Sequence, residues 1–358
     1  MIQPLFRSSA WLGTLCGIMP CRVITDPLQA ARALRRGKLV ALPTETVYGL
    51  GADATNPTAV ARLFAAKDRP LFDPLILHLA SRAWLPRVAA RVPPAAEQLS
   101  RRFWPGPLTL VLPRQPSVLD LVTAGLPTVA VRVPRHHLMR QVLVALNRPI
   151  AAPSANRFGR LSPTRPEHVL EQLGDVIDYL LDGGKCRVGV ESTIVEVDDD
   201  NRVTLLRPGG LPLERIEAVV GPVRRHRRTA RQRPKAPGQL PQHYAPRTPV
   251  RLLRRLPAAP PPGKRWGLLA LRPQSCPGYA AREFLSPEGN LVTAAARLFE
   301  ALHRLDQLRL DRIIALEFPE EGLGRAINDR LRRAAATRIA SSSSRRLTSD
   351  GLRTARRP

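Results

Sequence analysis

The sequence predicts an α/β protein, with a large mixed domain followed by a smaller α/β domain. Three observations point there. Short runs of branched apolar residues alternate with helical runs that carry caps and stops. Hydrophobic residues make up 44% of the 358-residue chain, enough to build a core. A stretch rich in Arg, Pro, Gln and Gly over 221–247 interrupts the alternation and reads as a linker.

The elements follow in order. Thr25 or Asp26 can cap a helix over LQAARALRR, with Pro27 in its first turn and Gly37 as its stop. KLVALPTE is an apolar strand running into a loop. Asn56-Pro57 caps the helix TAVARLFAAK. PLILHLA, LTLVLP and TVAVRVP are strands bounded by Pro or Gly. HLMRQVLVALN is a helix, PIAAPSAN a buried strand ending in a loop, and PEHVLEQLG a helix. VIDYLLDGG, STIVEV and RVTLLRPGG are strands or strand-to-loop turns. Beyond the linker come VRLL, WGLLAL, a helix over LVTAAARLFEALHRL, the strand DRIIALEF and a helix over GRAINDRLRRAA.

This divides the chain into an extension (1–18), a catalytic-size domain (19–220), the linker segment (221–247), a small C-terminal domain (248–339) and a low-complexity basic tail expected to be disordered (340–358). The extension is a poor signal peptide, because its apolar run is broken by Gly13 and Gly17, and Met19 makes the better start. No run of 18 apolar residues predicts a membrane helix. Cys16, Cys21, Cys186 and Cys276 form neither a zinc set nor a disulfide framework, which favours a reducing compartment.

The formal net charge is +27, and 51 of the 56 cations are Arg. Such a balance points to phosphate: nucleic acid, nucleotide or anionic lipid. Residues 221–236 hold +7 and residues 324–358 hold +8, in segments that look like a linker and a tail. The remainder is moderately basic.

Five segments can carry chemistry. Pro43-Thr44-Glu45-Thr46-Val47-Tyr48-Gly49-Leu50 sets hydroxyls and a Gly where a strand opens, which suits a small ligand and equally a polar turn. Lys67-Asp68-Arg69-Pro70 makes a cationic corner for oxyanions, or ordinary helix-dipole compensation. His78, inside an apolar strand, reads by itself as a core residue. Ala152-Pro153-Ser154-Ala155-Asn156 with Ser162-Pro163-Thr164 allows close approach to a nucleotide, and by itself is a generic turn. Val188 to Thr193 and Arg207-Pro208-Gly209-Gly210 are strand-edge loops. No Walker sequence, dinucleotide fingerprint, nucleophile elbow or metal-ligand spacing occurs. Cations and hydroxyls outnumber carboxylates, a pattern for stabilising charge at phosphorus.

Taken together and in order, PTETVYGLGADA, AAKDRPLFDPLILHL, FWPGPLTLVLPR, TVAVRVP, APSANRFGRLSPT, GVESTIVEV and LLRPGG resemble the threonylcarbamoyl-AMP synthase family over roughly residues 20–215. PGQLPQHYAPRTPV (237–250) and GLGRAINDRLRRAA look like its long, two-domain form. The resemblance implies a YrdC-like twisted mixed sheet with flanking helices plus a smaller C-terminal α/β domain. It implies condensation of L-threonine, bicarbonate and ATP to threonylcarbamoyl-AMP and pyrophosphate, a nucleotidyl transfer in the cytoplasm. The product would pass to a tRNA threonylcarbamoyl transferase complex. By the family pattern, Thr44, His78, Arg132, Ala152 and Ser192 hold threonine. Lys67, Arg69, Leu71, Thr128, Ser154, Asn156, Ser162 and Arg207 line the ATP side, with Lys67 and Arg69 catalytic. His243 and Tyr244 close as a lid. Mg²⁺ rides on the ATP phosphates without a protein metal site. Asp73 stands where the family usually has Asn, and is expected to face away from the triphosphate. The Arg clusters leave weak tRNA contact, or a nucleic-acid-binding module without catalysis, as the alternative, although aromatics at 4% offer no stacking platform. A related carbamoyl transferase of metallocentre maturation is disfavoured because its Cys-rich zinc fingers are missing.

Overall fold

The computed structural model describes residues 21–226, 234–240, 244–257 and 259–336. The first unit contains β1 (Arg22–Ile24), α1 (Pro27–Arg35), β2 (Val40–Leu42), β3 (Gly49–Asp53), α2 (Pro57–Lys67), β4 (Ile76–His78), α3 (Pro94–Phe103) and β5 (Leu108–Pro113). It continues with α4 (Asp120–Thr123), β6 (Thr128–Arg132), α5 (His137–Leu146), β7 (Ile150–Ala151), α6 (Pro166–Leu173), β8 (Tyr179–Leu181), β9 (Thr193–Val197), β10 (Val203–Arg207), α7 (Leu213–Val220) and β11 (Arg224–Arg225). The second unit contains β12 (Val250–Leu253), β13 (Trp266–Ala270), β14 (Ala281–Phe284), α8 (Leu291–Gln307), β15 (Arg312–Leu316) and α9 (Gly324–Ala336).

Eleven strands form one mixed sheet in the order β1-β8-β2-β3-β7-β4-β6-β5-β9-β10-β11. Helices cover both faces: one core gathers Leu50, Leu63, Leu77, Leu99, Leu110 and Val131, the other Leu34, Leu42, Val142, Leu143 and Ile150. The second sheet, β12-β15-β13-β14, is parallel throughout, and its two inner strands, β13 and β15, read as apolar runs.

Local chemistry explains the element starts. Asp26, not Thr25, caps α1, accepting from the Leu28 and Gln29 amides at 2.8 and 3.1 Å. Asn56 caps α2 through the Ala59 amide at 3.1 Å. Asp68 ends α2 in a left-handed turn at φ 52°, which sends Lys67 and Arg69 inward.

Several elements exceed what the sequence pattern gave. The segment Gly49–Asp53, expected as loop, is β3. Two glycines and an aspartate make a poor strand by propensity. Antiparallel pairing with β2 and β7 holds it, and a Cβ on Gly51 would stand 2.6 Å from Leu42 Cδ1. The helices α3 and α7 and the short strands β1 and β14 were likewise unread. PLILHLA shortens to the three residues of β4.

The described part of 221–247 is packed rather than loose. Here β11 extends the sheet beside β10, and Ala236 is fully buried against Ile76, Val111, Ala130, Ile194 and Leu206. The cations of 324–336 are not tail charge either. In α9, Arg325 pairs with Glu214, Arg330 with Glu191, Arg332 with Glu320 and Arg333 with Asp329. The expected extension 1–18 and tail 340–358 lie outside the described residues. Cys21, Cys186 and Cys276 are free thiols, and no helix among the described residues is long and apolar enough to cross a membrane.

The two units share one core: Val47, Leu161, Val190 and Tyr244 of the first pack with Leu298, Phe299 and Leu302 of the second. Gly189 makes this approach possible. At φ +75° it brings backbone so near α8 that a Cβ would stand 2.5 Å from Ala295 O. Across the same junction the rings of His168 and His303 stack at 3.8 Å. Burial, then the neighbouring His303 charge, holds His168 down to about 3. Burial and then Arg132 do the same to His78. Burial also lowers His303.

A buried histidine kept neutral opposes protonation, whereas the unfolded chain accepts a proton below its ordinary value. Its stabilising effect is therefore complete above about pH 6.5 and is lost progressively as the pH falls toward about 3. Unfolding free energy should decline by roughly 1 kcal/mol per pH unit per such histidine in that window. Chemical denaturation at stepped pH measures it. His168→Gln should flatten the decline, and an unchanged slope contradicts the assignment.

Candidate active site

The sheet brings the chemistry to one place. Parallel pairing of β4 with β6 sets His78 beside Arg132 in register. The turn after β7 and the 191–192 segment before β9 then add Ala152 to Ser154 and Glu191-Ser192. They enclose a cavity of about 40 Å³ lined by Thr44, Thr46, Arg69, His78, Arg132, Ala152, Ser154, Glu191, Ser192, Arg207, Gly238 and Tyr244, among others.

Each cation around it is buried and held. Arg132 donates to Thr46 Oγ1 at 3.0 Å and Gly106 O at 3.2 Å, and pairs with Glu45 Oε1 at 2.8 Å. Glu45 answers two demands: burial raises its pKa, but the Arg132 charge and hydrogen bonds outweigh it, and the carboxyl stays below its ordinary value. Arg69 pairs with Asp73 at 2.9 Å and donates to Asp73 O and Pro74 O at 3.1 and 2.8 Å. Asp73, which does not line the cavity, thus serves as the counter-ion of Arg69. Arg207 grips Ser192 O at 2.9 Å and Pro237 O at 3.1 Å. Lys67 Nζ donates to Ser154 O and Asn156 O. Burial, then the Arg69 charge, pushes the Lys67 pKa well below its ordinary value.

The hydroxyls and ring nitrogens set the rest of the wall. Thr44 Oγ1 donates to Val47 O at 2.6 Å and so pins the 44–47 turn. Ser192 Oγ meets Thr109 Oγ1 at 2.7 Å. Buried His78 has no hydrogen-bond partner at Nδ1 among the described residues and is held neutral, which leaves a polar position at the wall for a ligand to satisfy.

The residues named from the sequence divide into groups. Thr44, His78, Arg132, Ala152 and Ser192 line the cavity together, with Arg69, Ser154, Arg207 and Tyr244. Lys67, Asn156 and Ser162 are buried just behind the wall: Asn156 Nδ2 donates to Arg157 O and Arg160 O, and Ser162 Oγ donates to Glu191. Thr128 sits four residues from Arg132 at the far end of β6, and Leu71 is 62% exposed; neither reaches this cavity. His243 lies outside the described residues. The sequence reading missed Thr46, Gly238 and Glu191 as wall residues and Glu45 as the counter-ion of Arg132. Thr46 and Glu45 lay inside the noted PTETVYG segment, so proximity in sequence was the available signal.

The strap over 234–240 and Tyr244 forms one side of the cavity, through Pro237, Gly238 and Tyr244. Gln239 Oε1 accepts from the Lys235 amide at 2.8 Å, and Lys235 Nζ pairs with Glu196 at 2.9 Å. Gly238 sits at φ +77°, where a Cβ would stand 2.4 Å from Tyr244 Oη and 3.0 Å from Arg207 Nη1.

Hydroxyls and guanidinium groups converging on one cavity in a mixed α/β sheet define an enzyme site for an anionic substrate. Comparisons with known proteins agree. The Sua5/YciO/YrdC family profile, described as telomere recombination, matches residues 32–209, and the profile of the threonylcarbamoyl-AMP synthase C-terminal domain matches 211–336. The threonylcarbamoyl-AMP synthase of Pyrococcus abyssi is 44% identical over 325 residues, covering 87% of this chain and 94% of that protein. That of Bacillus subtilis is 42% identical, covering 87% and 93%. The crystal structure of P. abyssi Sua5 complexed with L-threonine matches at a TM-score of 0.81 and 39% identity, over 89% of this chain and 98% of that one. The chain belongs to the threonylcarbamoyl-AMP synthase family.

Gly238→Ala should cost about 1–2 kcal/mol for a left-handed backbone alone and push Tyr244 off Arg207. Thermal unfolding and limited proteolysis within 234–245 check this. An unchanged melting temperature together with an unchanged cleavage rate contradicts it.

Proposed function

We propose that this cavity is the active centre of an L-threonylcarbamoyladenylate synthase, with Arg132, His78, Thr44, Ala152 and Ser192 around threonine and Arg69, Arg207, Ser154 and Tyr244 on the nucleotide side. One observation carries the reading: three buried guanidinium groups and the unpartnered His78 Nδ1 meet at one wall.

The chemistry runs through these groups. The threonine amine adds to bicarbonate and loses water, giving a carbamate. A carbamate oxygen attacks the α-phosphorus of ATP, the bond to the β-phosphate oxygen breaks, and pyrophosphate leaves. Arg132 suits the threonine carboxylate because its fork can take two oxygens. Neutral His78 offers a hydrogen bond to the amine or hydroxyl without adding charge. Arg69 and Arg207 stabilise charge as it grows on the phosphates, and Lys67 holds the 154–156 turn against them. Every carboxylate at the cavity is already paired with Arg, so the wall offers no vacant ligand for Mg²⁺; the ion would enter on the ATP phosphates. The mixed anhydride would pass to a tRNA-modifying transferase in the cytoplasm.

The cavity of about 40 Å³ falls far below the roughly 300–1,000 Å³ of small-molecule sites. The Tyr244 strap must therefore swing away to admit ATP and return to exclude water from the anhydride.

Mass spectrometry after mixing protein, ATP, threonine and bicarbonate should show threonylcarbamoyl-AMP, and omission of any one substrate should abolish it. Lys67→Ala and Arg69→Ala should each cost ~2–4 kcal/mol of transition-state stabilisation, by analogy with the loss of a preorganised donor. Product formed without threonine, or near wild-type rates in both variants, rejects the assignment.

A further inference from the structure

We propose that Arg330 of α9 is the positioning residue through which the C-terminal unit sets up the active centre, by fixing Glu191 at the cavity wall and holding Tyr244 over it. The proposal rests on the synthase reading above and deepens it.

Among the described residues, nothing beyond Tyr244 lines the cavity. The whole C-terminal unit thus acts on the reaction at second hand: α8 supplies apolar packing behind Val47 and Tyr244, and Arg330 supplies the charged contact. Its side chain is fully buried. Removing a guanidinium from water is costly unless its donors are met, so a buried Arg at a domain junction needs a reason in its contacts. Arg330 Nε donates to Glu191 Oε2 at 2.7 Å. Nη1 donates to Pro208 O at 3.0 Å and to Asp329 at 2.6 Å. The guanidinium carbon lies 4.9 Å from the Tyr244 ring centroid, a cation–π distance. The three outside contacts are Glu191 and Tyr244, which line the cavity, and Pro208, which follows the lining residue Arg207.

Glu191 explains why the charge matters. Its other oxygen accepts from Ser162 Oγ, so the carboxylate ties the 161–164 loop to the wall. Burial raises its pKa, but Arg330, then Arg207 and the Ser162 hydroxyl, bring it below the ordinary value. The other charged groups facing this cluster are Asp329, which also pairs with Arg333, and the Tyr244 phenol, whose pKa burial raises. Without Arg330, the largest influence opposing burial is gone, so Glu191 would take up a proton at a higher pH and its bond to Ser162 would change character. Tyr244 would also lose the cation across its ring. Arg330 touches no cavity surface and acts only through these two residues.

The test compares Arg330→Met, Arg330→Lys and the double variant Arg330→Met with Glu191→Gln, which leaves no unpaired buried charge and so keeps the comparison open if the single variant misfolds. Threonine affinity by calorimetry should stay within about threefold of wild type, since the Arg132 side shares no contact with Arg330. The KM for ATP should rise and turnover fall by at least about tenfold. The acid limb of the pH profile should move upward in Arg330→Met, recover in part in Arg330→Lys, and vanish in the double variant, which should keep its raised KM for ATP. Wild-type ATP dependence and pH profile in Arg330→Met, or threonine and ATP constants degraded alike in all three, overturns the proposal. Absence of product from the wild-type chain in the same assay rejects the synthase reading, and this assignment with it.

Discussion

Lys67, Arg69, Arg132, Arg207 and Arg330 are all buried around one small cavity, and the surrounding structure is arranged to make that tolerable. A buried cation is stable only with its donors satisfied. Carboxylates answer Arg69, Arg132 and Arg330; carbonyl oxygens answer Lys67 and Arg207. Those partners come from the loop before β4, the 44–47 turn, the 152–156 turn, the 191–192 segment, the strap and α9. The mixed sheet supplies the frame, since the register of β4 on β6 sets His78 beside Arg132. Three guanidinium groups, of Arg69, Arg132 and Arg207, line the cavity against the one lining carboxylate of Glu191, which suits an anionic substrate.

The same arrangement makes the site adaptable. Carbonyls of the 152–156 turn and of the strap accept bonds that the oxygens of a triphosphate could take instead. Among the described residues the strap is tied to both units: Lys235 pairs with Glu196, Gln239 accepts from the Lys235 amide and donates to Leu206 O, Arg207 donates to Pro237 O, Arg333 donates to Leu240 O, and the Arg330 guanidinium lies over Tyr244. None of these ties is a strand pairing, so the sheet's own hydrogen bonds do not depend on them. Ala236 commits the strap to a small cluster, and Tyr244 commits it to the core shared with α8.

Much of this was legible in the sequence, and what was not has a physical reason. The β5 strand, the α2 cap and the long α8 helix carry strong local signals, and the ordered motifs pointed to the cavity residues from four separate strands and turns. The β3 strand escaped because its glycines are chosen for closeness to β2 rather than for strand propensity. Glu191 and Arg330 escaped as a pair because 139 positions separate them, and nothing local marks either as the other's counter-ion. For the same reason Arg330 and its α9 neighbours were counted with a basic tail. Once they are seen paired with Glu214, Glu191, Glu320 and Asp329, the argument for nucleic acid as the main partner loses much of its charge.

The central claim is that the surplus positive charge of this cavity is matched by the phosphates of its substrate. Thermal unfolding in the presence of ATP, pyrophosphate or adenosine tests it most directly, because a ligand that binds the folded state raises the midpoint by mass action. ATP and pyrophosphate should each raise the melting temperature, Arg69→Met should reduce both shifts, and adenosine should do little. Stabilisation by adenosine equal to that by ATP, with none from pyrophosphate, would contradict the account.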